Sequence, residues 1–194
     1  MRIAIVTLPR TGGTSFTRWL GKELNYKTIY EPYWSNHFDR KIKYTDSELW
    51  EQPNTLTKWI LDEFEYLDNG INYYLASYDF VILHTRDDVY AESKSFTYAL
   101  NSFNSSGWHI QYVIPPDWET LNKDSIEEIT NKLSVDKSKL LSLTGNINTT
   151  YEGLYYGDDS KRISDLLNFT PKYLNMIDCG NKYQIRHKTH KTLL

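Results

Sequence analysis

The chain has 194 residues, 40% of them hydrophobic and 24% charged, which suits one soluble globular domain with a sizeable core. Its net charge of −3 excludes a strong global field for nucleic acid or anionic membranes, and its one cysteine, Cys179, excludes an internal disulfide. Residues 3–8 are apolar but too short for a signal core or a membrane span, so a cytoplasmic, reducing compartment is expected.

In chain order, "RIAIVTL" (2–8) is a continuous apolar run stopped by Pro9, the pattern of a buried parallel strand. Phe16, Leu20 and Leu24 recur every fourth residue and predict a helix over 14–24. "YKTIYEPYW" (26–34) reads as a short strand ending at Glu31-Pro32. Leu56, Trp59, Ile60, Phe64 and Leu67 have helical spacing and predict a helix over 54–67. "YDFVILHTR" (78–86) is the strongest central strand. A helix over 88–100 follows, with Asp87 or Asp88 as N-cap.

Residues 104–123, with Gly107, Pro115 and Pro116, read as an irregular loop, and 124–142 as a helix. A short strand and turn over 147–154, a helix over 160–169 and a last strand over 173–178 complete the pattern. A basic tail starts at about residue 181, and a frayed, solvated end is its ordinary role. Strands alternate with helices without repeat or linker. The expected architecture is therefore one domain over 1–194, a three-layer α/β/α fold with a mainly parallel sheet. Ligands in such sheets bind at the carboxyl ends of the strands. Three of those ends carry chemistry: 10–15, Glu31 and Arg86.

The first is "IAIVTLPRTGGTSF" (3–16): strand, glycine turn, helix. Gly12 and Gly13 let backbone approach an anion, and N–H groups from Thr11 to Ser15 would face it at the positive end of a helix. Thr14 and Ser15 add hydroxyls, and Arg10 adds a planar cation suited to phosphate or sulfate. A nucleotide-hydrolysing loop would end Gly-Lys-Ser/Thr, and that lysine is missing. A plain tight turn is the ordinary alternative.

"LPRTGGTSF" resembles the 5′-phosphosulfate loop of sulfotransferases, matching at Pro9, Arg10, Thr11, Gly12 and Thr14 and departing at Gly13. "VILHTRDDVYAESKSF" resembles the family's strand-end arginine followed by a helix serine. Arg86 and Ser93 match with one residue fewer between them than usual, which leaves Ser95 as a rival. Taken alone, Arg86 would be read as a surface ion pair with Asp87 or Asp88. "IYEPYW" resembles the Glu-Pro motif of carbohydrate sulfotransferases, in which the glutamate is the base. "TTYEGL" resembles the family's late Tyr-Glu-Asp-Leu, with Gly153 in place of the aspartate. The family's glycine-rich Arg-Lys-Gly segment has no counterpart beyond the basic tail residues Arg186, His187, Lys188, His190 and Lys191.

The resemblance covers most of residues 1–170 and implies a P-loop-like nucleotide-binding fold. It implies transfer of a sulfuryl group from 3′-phosphoadenosine 5′-phosphosulfate (PAPS) to a hydroxyl or amine, without metal. Arg10 and the loop Thr11, Gly12, Gly13, Thr14 and Ser15 would hold the 5′ end, and Arg86 with Ser93 the 3′-phosphate. Glu31 would be the base, its carboxyl raised by burial, with His37 the alternative. A capping or ion-pairing role is the plainer reading of Glu31. The acceptor is a small molecule or carbohydrate, with Tyr33, Trp34, Trp108 and Tyr112 as possible platform rings.

His187 and His190 lack a third ligand at metal spacing. The Asn-Xaa-Ser/Thr triplets at Asn104, Asn148 and Asn168 are taken as chance. The rival readings are a metal-dependent P-loop-type kinase and a non-catalytic anion- or nucleotide-binding module. Heavy use of Asn, Lys, Ile and Tyr points to an AT-rich genome, bacterial or viral, and nothing in the sequence speaks to oligomeric state.

Overall fold

The computed structural model describes residues 1–32, 44, 47–66, 70–106 and 121–172. Its strands are β1 (Arg2–Thr7), β2 (Lys27–Tyr30), β3 (Thr55–Ile60), β4 (Phe80–Thr85) and β5 (Ile147–Thr150). They form one sheet in the order β2-β3-β1-β4-β5, and every neighbouring pair is parallel. The helices are α1 (Gly13–Leu24), α2 (Ile71–Leu75), α3 (Val89–Ser106), α4 (Lys123–Leu141), α5 (Tyr151–Tyr156) and α6 (Asp159–Leu167). A π-helical turn at Ser47–Glu51 precedes β3 and a 3₁₀ helix at Leu61–Tyr66 follows it.

Alternation along β1 divides the core in two, because successive strand side chains point to opposite faces. Ile3 and Ile5 pack with Phe16, Trp19 and Leu20 of α1, Leu154 of α5 and Ile163 of α6. Ala4 and Val6 pack with Leu75 of α2 and Leu133 and Leu140 of α4. Helices therefore cover both faces, and the three-layer α/β architecture holds.

The helix expected over 54–67 is overturned. Residues 55–60 are the strand β3, buried at all six positions between β2 and β1. Leu56 packs on the α1 face and Trp59 on the α2/α4 face. Residues three apart share a helix face but lie on opposite faces of a strand, so the helical spacing was coincidental. A strand buried on both sides has no period-two alternation to reveal it. Two smaller corrections concern helix limits. α3 runs on to Ser106, into the start of the expected loop, and the turn after β5 closes into α5. Asp88 is the N-cap of α3, its Oδ1 accepting from the Ala91 amide at 2.8 Å. The expected strand over 173–178 and the basic tail lie outside the described residues.

The chain leaves β1 through α1 toward β2, on the β3 side, and leaves β4 through α3 and α4 toward β5, on the other side. The carboxyl ends of β1 and β4 therefore flank the point where the connections diverge, the usual crevice for a ligand in an open α/β sheet. Among the described residues, no helix is long and apolar enough to cross a membrane.

Candidate functional site

The turn after β1 is buttressed from beneath. Thr7 and Thr11 bring their hydroxyls together, and both lie 3.0 Å from the Leu8 carbonyl oxygen, so one donates to that carbonyl and the other to its partner hydroxyl. The Thr11 side chain thus points inward, leaving only its backbone for a ligand. His84 of β4 lies 2.9 Å through Nε2 from the Thr11 carbonyl and 3.0 Å through Nδ1 from the Thr149 hydroxyl. A carbonyl can only accept, so Nε2 carries the proton and Nδ1 accepts from Thr149. Burial holds the imidazole neutral by lowering its pKa to about 4. One neutral histidine therefore ties the loop to β4 and β5.

Above this buttress the backbone bends sharply. Arg10 and Gly12 have φ of 66° and 82°. A side chain at Gly12 would also place its Cβ 2.9 Å from the Tyr151 ring. Gly12 caps α1, and its carbonyl accepts from the Ser15 and Phe16 amides at 3.0 and 3.1 Å. Helix geometry leaves the Gly13 and Thr14 N–H groups free of intrahelical partners, at the positive end of the helix. An anion at this turn would meet those groups first.

The lysine missing from the loop has a counterpart on β3. Lys58 is 5% exposed, and its Nζ donates to Thr14 Oγ1 at 3.1 Å and makes an ion pair with Glu31 Oε1. An ammonium has three N–H groups, so a third remains to meet an oxyanion in the turn. Gly13 makes room for this arrangement, since a Cβ there would sit 3.1 Å from Lys58 Cε. Sequence reading missed Lys58 because its segment resembled a helix. The available signal was a lone lysine inside a run of β-branched and apolar residues.

Glu31 lies just past β2, its amide donating to the Lys58 carbonyl at 2.9 Å. The ion-pairing alternative for this carboxylate is therefore what the structure contains, with Lys58 as partner. Glu31 also holds φ at 47°. Among the described residues, the other non-glycine positions with positive φ are Asn25, Asn54 and Asn168, and asparagine tolerates that region. Arg10 and Glu31 have no such excuse. Backbone strain of this kind gathers at functional sites, and here it sits at two strand ends facing one crevice.

Arg10 reaches across to α3, where its Nε donates to Ser95 Oγ at 3.0 Å. Ser95 thus joins the loop's arginine. Ser93 is buried and donates to the Val89 carbonyl one turn earlier, at 2.7 Å. Arg86, just past β4, is 5% exposed and lies 4.6 Å from the centre of the Tyr151 ring. Tyr151 is therefore a shared wall, touching the Gly12 turn on one side and the Arg86 guanidinium on another. The ion-pair alternative for Arg86 also holds, with Glu152 rather than Asp87 or Asp88: Nε lies 3.4 Å from Glu152 Oε1. Lys137 of α4 donates to the Arg86 carbonyl at 2.7 Å and lies 3.8 Å from Asp87.

Glu92, one residue before Ser93, is a site residue without a sequence signal. It is fully buried, and neither carboxyl oxygen has a hydrogen-bond partner among the described residues. Burial raises its pKa to about 8, against the lowering pull of Arg86 and Lys137, and Glu152 adds to the rise. Glu92 is thus mostly a neutral carboxylic acid at pH 7, within electrostatic reach of Arg86.

Gly153, the departure from Tyr-Glu-Asp-Leu, has a local cause. A Cβ there would lie 2.1 Å from Asp159 Oδ2, the oxygen that accepts from the Thr150 amide at 2.9 Å. The carboxylate that caps β5 comes from α6 and fills the space a side chain would need. An open groove runs beside Arg86, lined by Thr85, Asp87, Lys137, Thr150, Glu152 and Tyr156. None of its lining residues belongs to the β1–α1 turn. His37, Tyr33, Trp34, Trp108, Tyr112 and the tail histidines lie outside the described residues.

The chain matches no family model and no curated protein. The functional reading therefore rests on the geometry above and on the motifs.

Proposed function

We propose that this protein is a sulfotransferase that moves a sulfuryl group from PAPS to the hydroxyl or amine of a small-molecule or carbohydrate acceptor. The observation that carries the reading is the Lys58 bridge. One ammonium touches both the carboxylate matching the family's base and the hydroxyl at the head of the anion-binding helix. Base and leaving-group cradle thus share one hydrogen-bonded chain.

In the proposed reaction Glu31 takes the acceptor's O–H proton while the acceptor oxygen forms a bond to sulfur. The bond between sulfur and the bridging phosphate oxygen breaks, and its electron pair leaves on 3′-phosphoadenosine 5′-phosphate. Arg10, the third Lys58 N–H and the Gly13 and Thr14 amides meet the charge growing on that oxygen. Arg86, with Ser93 or Ser95 on α3, would hold the 3′-phosphate. The work is positioning and charge stabilisation, as in phosphoryl transfer.

The same bridge favours one second reading. Lys58 stands where a phosphate-loop lysine could act, so the missing loop lysine no longer argues against a kinase. That enzyme would need Mg²⁺ and ATP. Glu31→Gln tests the first reading. It should keep nucleotide affinity and lose roughly 10²–10⁴ in turnover, the span of a general base. Transfer of labelled sulfate from PAPS to a panel of sugar and phenol acceptors is the readout. A Glu31→Gln protein as active as the parent would remove Glu31 from the mechanism.

A further inference from the structure

Glu152 faces two donors that do not belong to its own helix. Its Oε2 accepts from the Asp87 amide at 2.8 Å, and its Oε1 lies 3.4 Å from Arg86 Nε. A strand-end amide beside a guanidinium is a donor pair suited to any phosphate or sulfate oxygen. The carboxylate fills this seat without completing it. Arg86 Nε–H is buried and has no acceptor in hydrogen-bond geometry among the described residues. Glu92, its carboxyl oxygens likewise unpartnered, stands close enough to feel the Arg86 charge. Orphaned polar groups in a native interior call for an explanation, and a ligand-binding role is one.

We propose that Glu152 is an intramolecular stand-in for a ligand oxyanion, and that an incoming phosphate or sulfate group displaces it from Arg86 and the Asp87 amide. The side chain has somewhere to go. It is 30% exposed and borders the open groove with Thr150 and Tyr156. Lys137, bonded to the Arg86 carbonyl and 3.8 Å from Asp87, is a second cation for the extra negative charge. Glu152 then sets the affinity threshold of the seat: weak anions lose to it, and a dianion wins. Naming that dianion as the 3′-phosphate of PAPS rests on the sulfotransferase reading, whereas the competition does not.

The test titrates the parent, Glu152→Gln and Glu152→Ala with inorganic sulfate and with 3′-phosphoadenosine 5′-phosphate, ADP serving as the reference nucleotide. Affinity is read by calorimetry, the Asp87 amide by NMR, and folding by thermal melting. Both ligands should bind the folded variants roughly ten- to a hundredfold more tightly than the parent, with the Asp87 amide shifting. Adding Arg86→Ala should abolish the gain. Folded variants that bind both ligands no more tightly would overturn the competition, even if the nucleotide binds well to all. A gain for sulfate, with the 3′-phosphorylated nucleotide no better than ADP, would uphold the seat and remove the PAPS reading.

Discussion

In the proposed transfer, Lys58→Met is expected to lower turnover by about 10²–10³-fold, the usual loss when one preorganised donor to a developing oxyanion is removed. Methionine keeps an unbranched stem where Lys58 Cε lies close to Gly13, so the turn stays open. The charge is lost, and with it the hydrogen bond to Thr14 and the pair with Glu31. Glu31 keeps 21% of its side chain exposed and can take water in place of the ammonium. Stability should therefore change far less than rate. Steady-state kinetics beside a melting curve separate the two effects. A folded Lys58→Met protein with parental turnover would contradict the role proposed for Lys58.

The second large effect is on stability against pH. Glu92 binds its proton more tightly folded, with a pKa of about 8, than unfolded, near 4.5. Its contribution is present below 4.5 and is lost as pH rises through 8, on the order of 5 kcal/mol at about 1.4 kcal/mol per pKa unit. His84 runs the other way. Its folded pKa of about 4 lies below the ordinary 6.5, so its contribution is full above 6.5 and is lost as pH falls to 4. Between pH 4.5 and 6.5 the two slopes oppose each other. Between 6.5 and 8 Glu92 acts alone, and stability should fall. Urea denaturation from pH 4 to 9 should show that decline in the parent and its disappearance in Glu92→Gln. An equal decline in Glu92→Gln would assign it to other groups.

The elements legible in the sequence were those with one dominant pattern. β1 and β4 are unbroken apolar runs, and α1 carries a stripe at fourfold spacing that packs on one face of the sheet. β3 was illegible because Thr55, Thr57 and Lys58 break its apolar run, and its Leu56–Trp59 spacing imitates a helix. That error concealed Lys58, which joins Thr14 of the loop to Glu31. The strand ends at Arg10, Glu31 and Arg86 were legible as positions but not as contacts. Lys58 comes to Glu31 from 27 residues away and Glu152 to Asp87 from 65, distances at which sequence spacing carries no signal. Gly153 shows the same limit: its cause is a carboxylate on the next helix.

The central claim is that the β1–α1 turn and Arg86 bind one 3′-phosphorylated nucleotide. Calorimetric titration with 3′-phosphoadenosine 5′-phosphate, against ADP with Mg²⁺, tests it most directly. Metal-independent binding of the first, stronger than of the second and weakened at least tenfold in Arg86→Ala, is the predicted result. Preference for ADP with Mg²⁺, or affinity for the 3′-phosphorylated nucleotide that Arg86→Ala leaves unchanged, would contradict it.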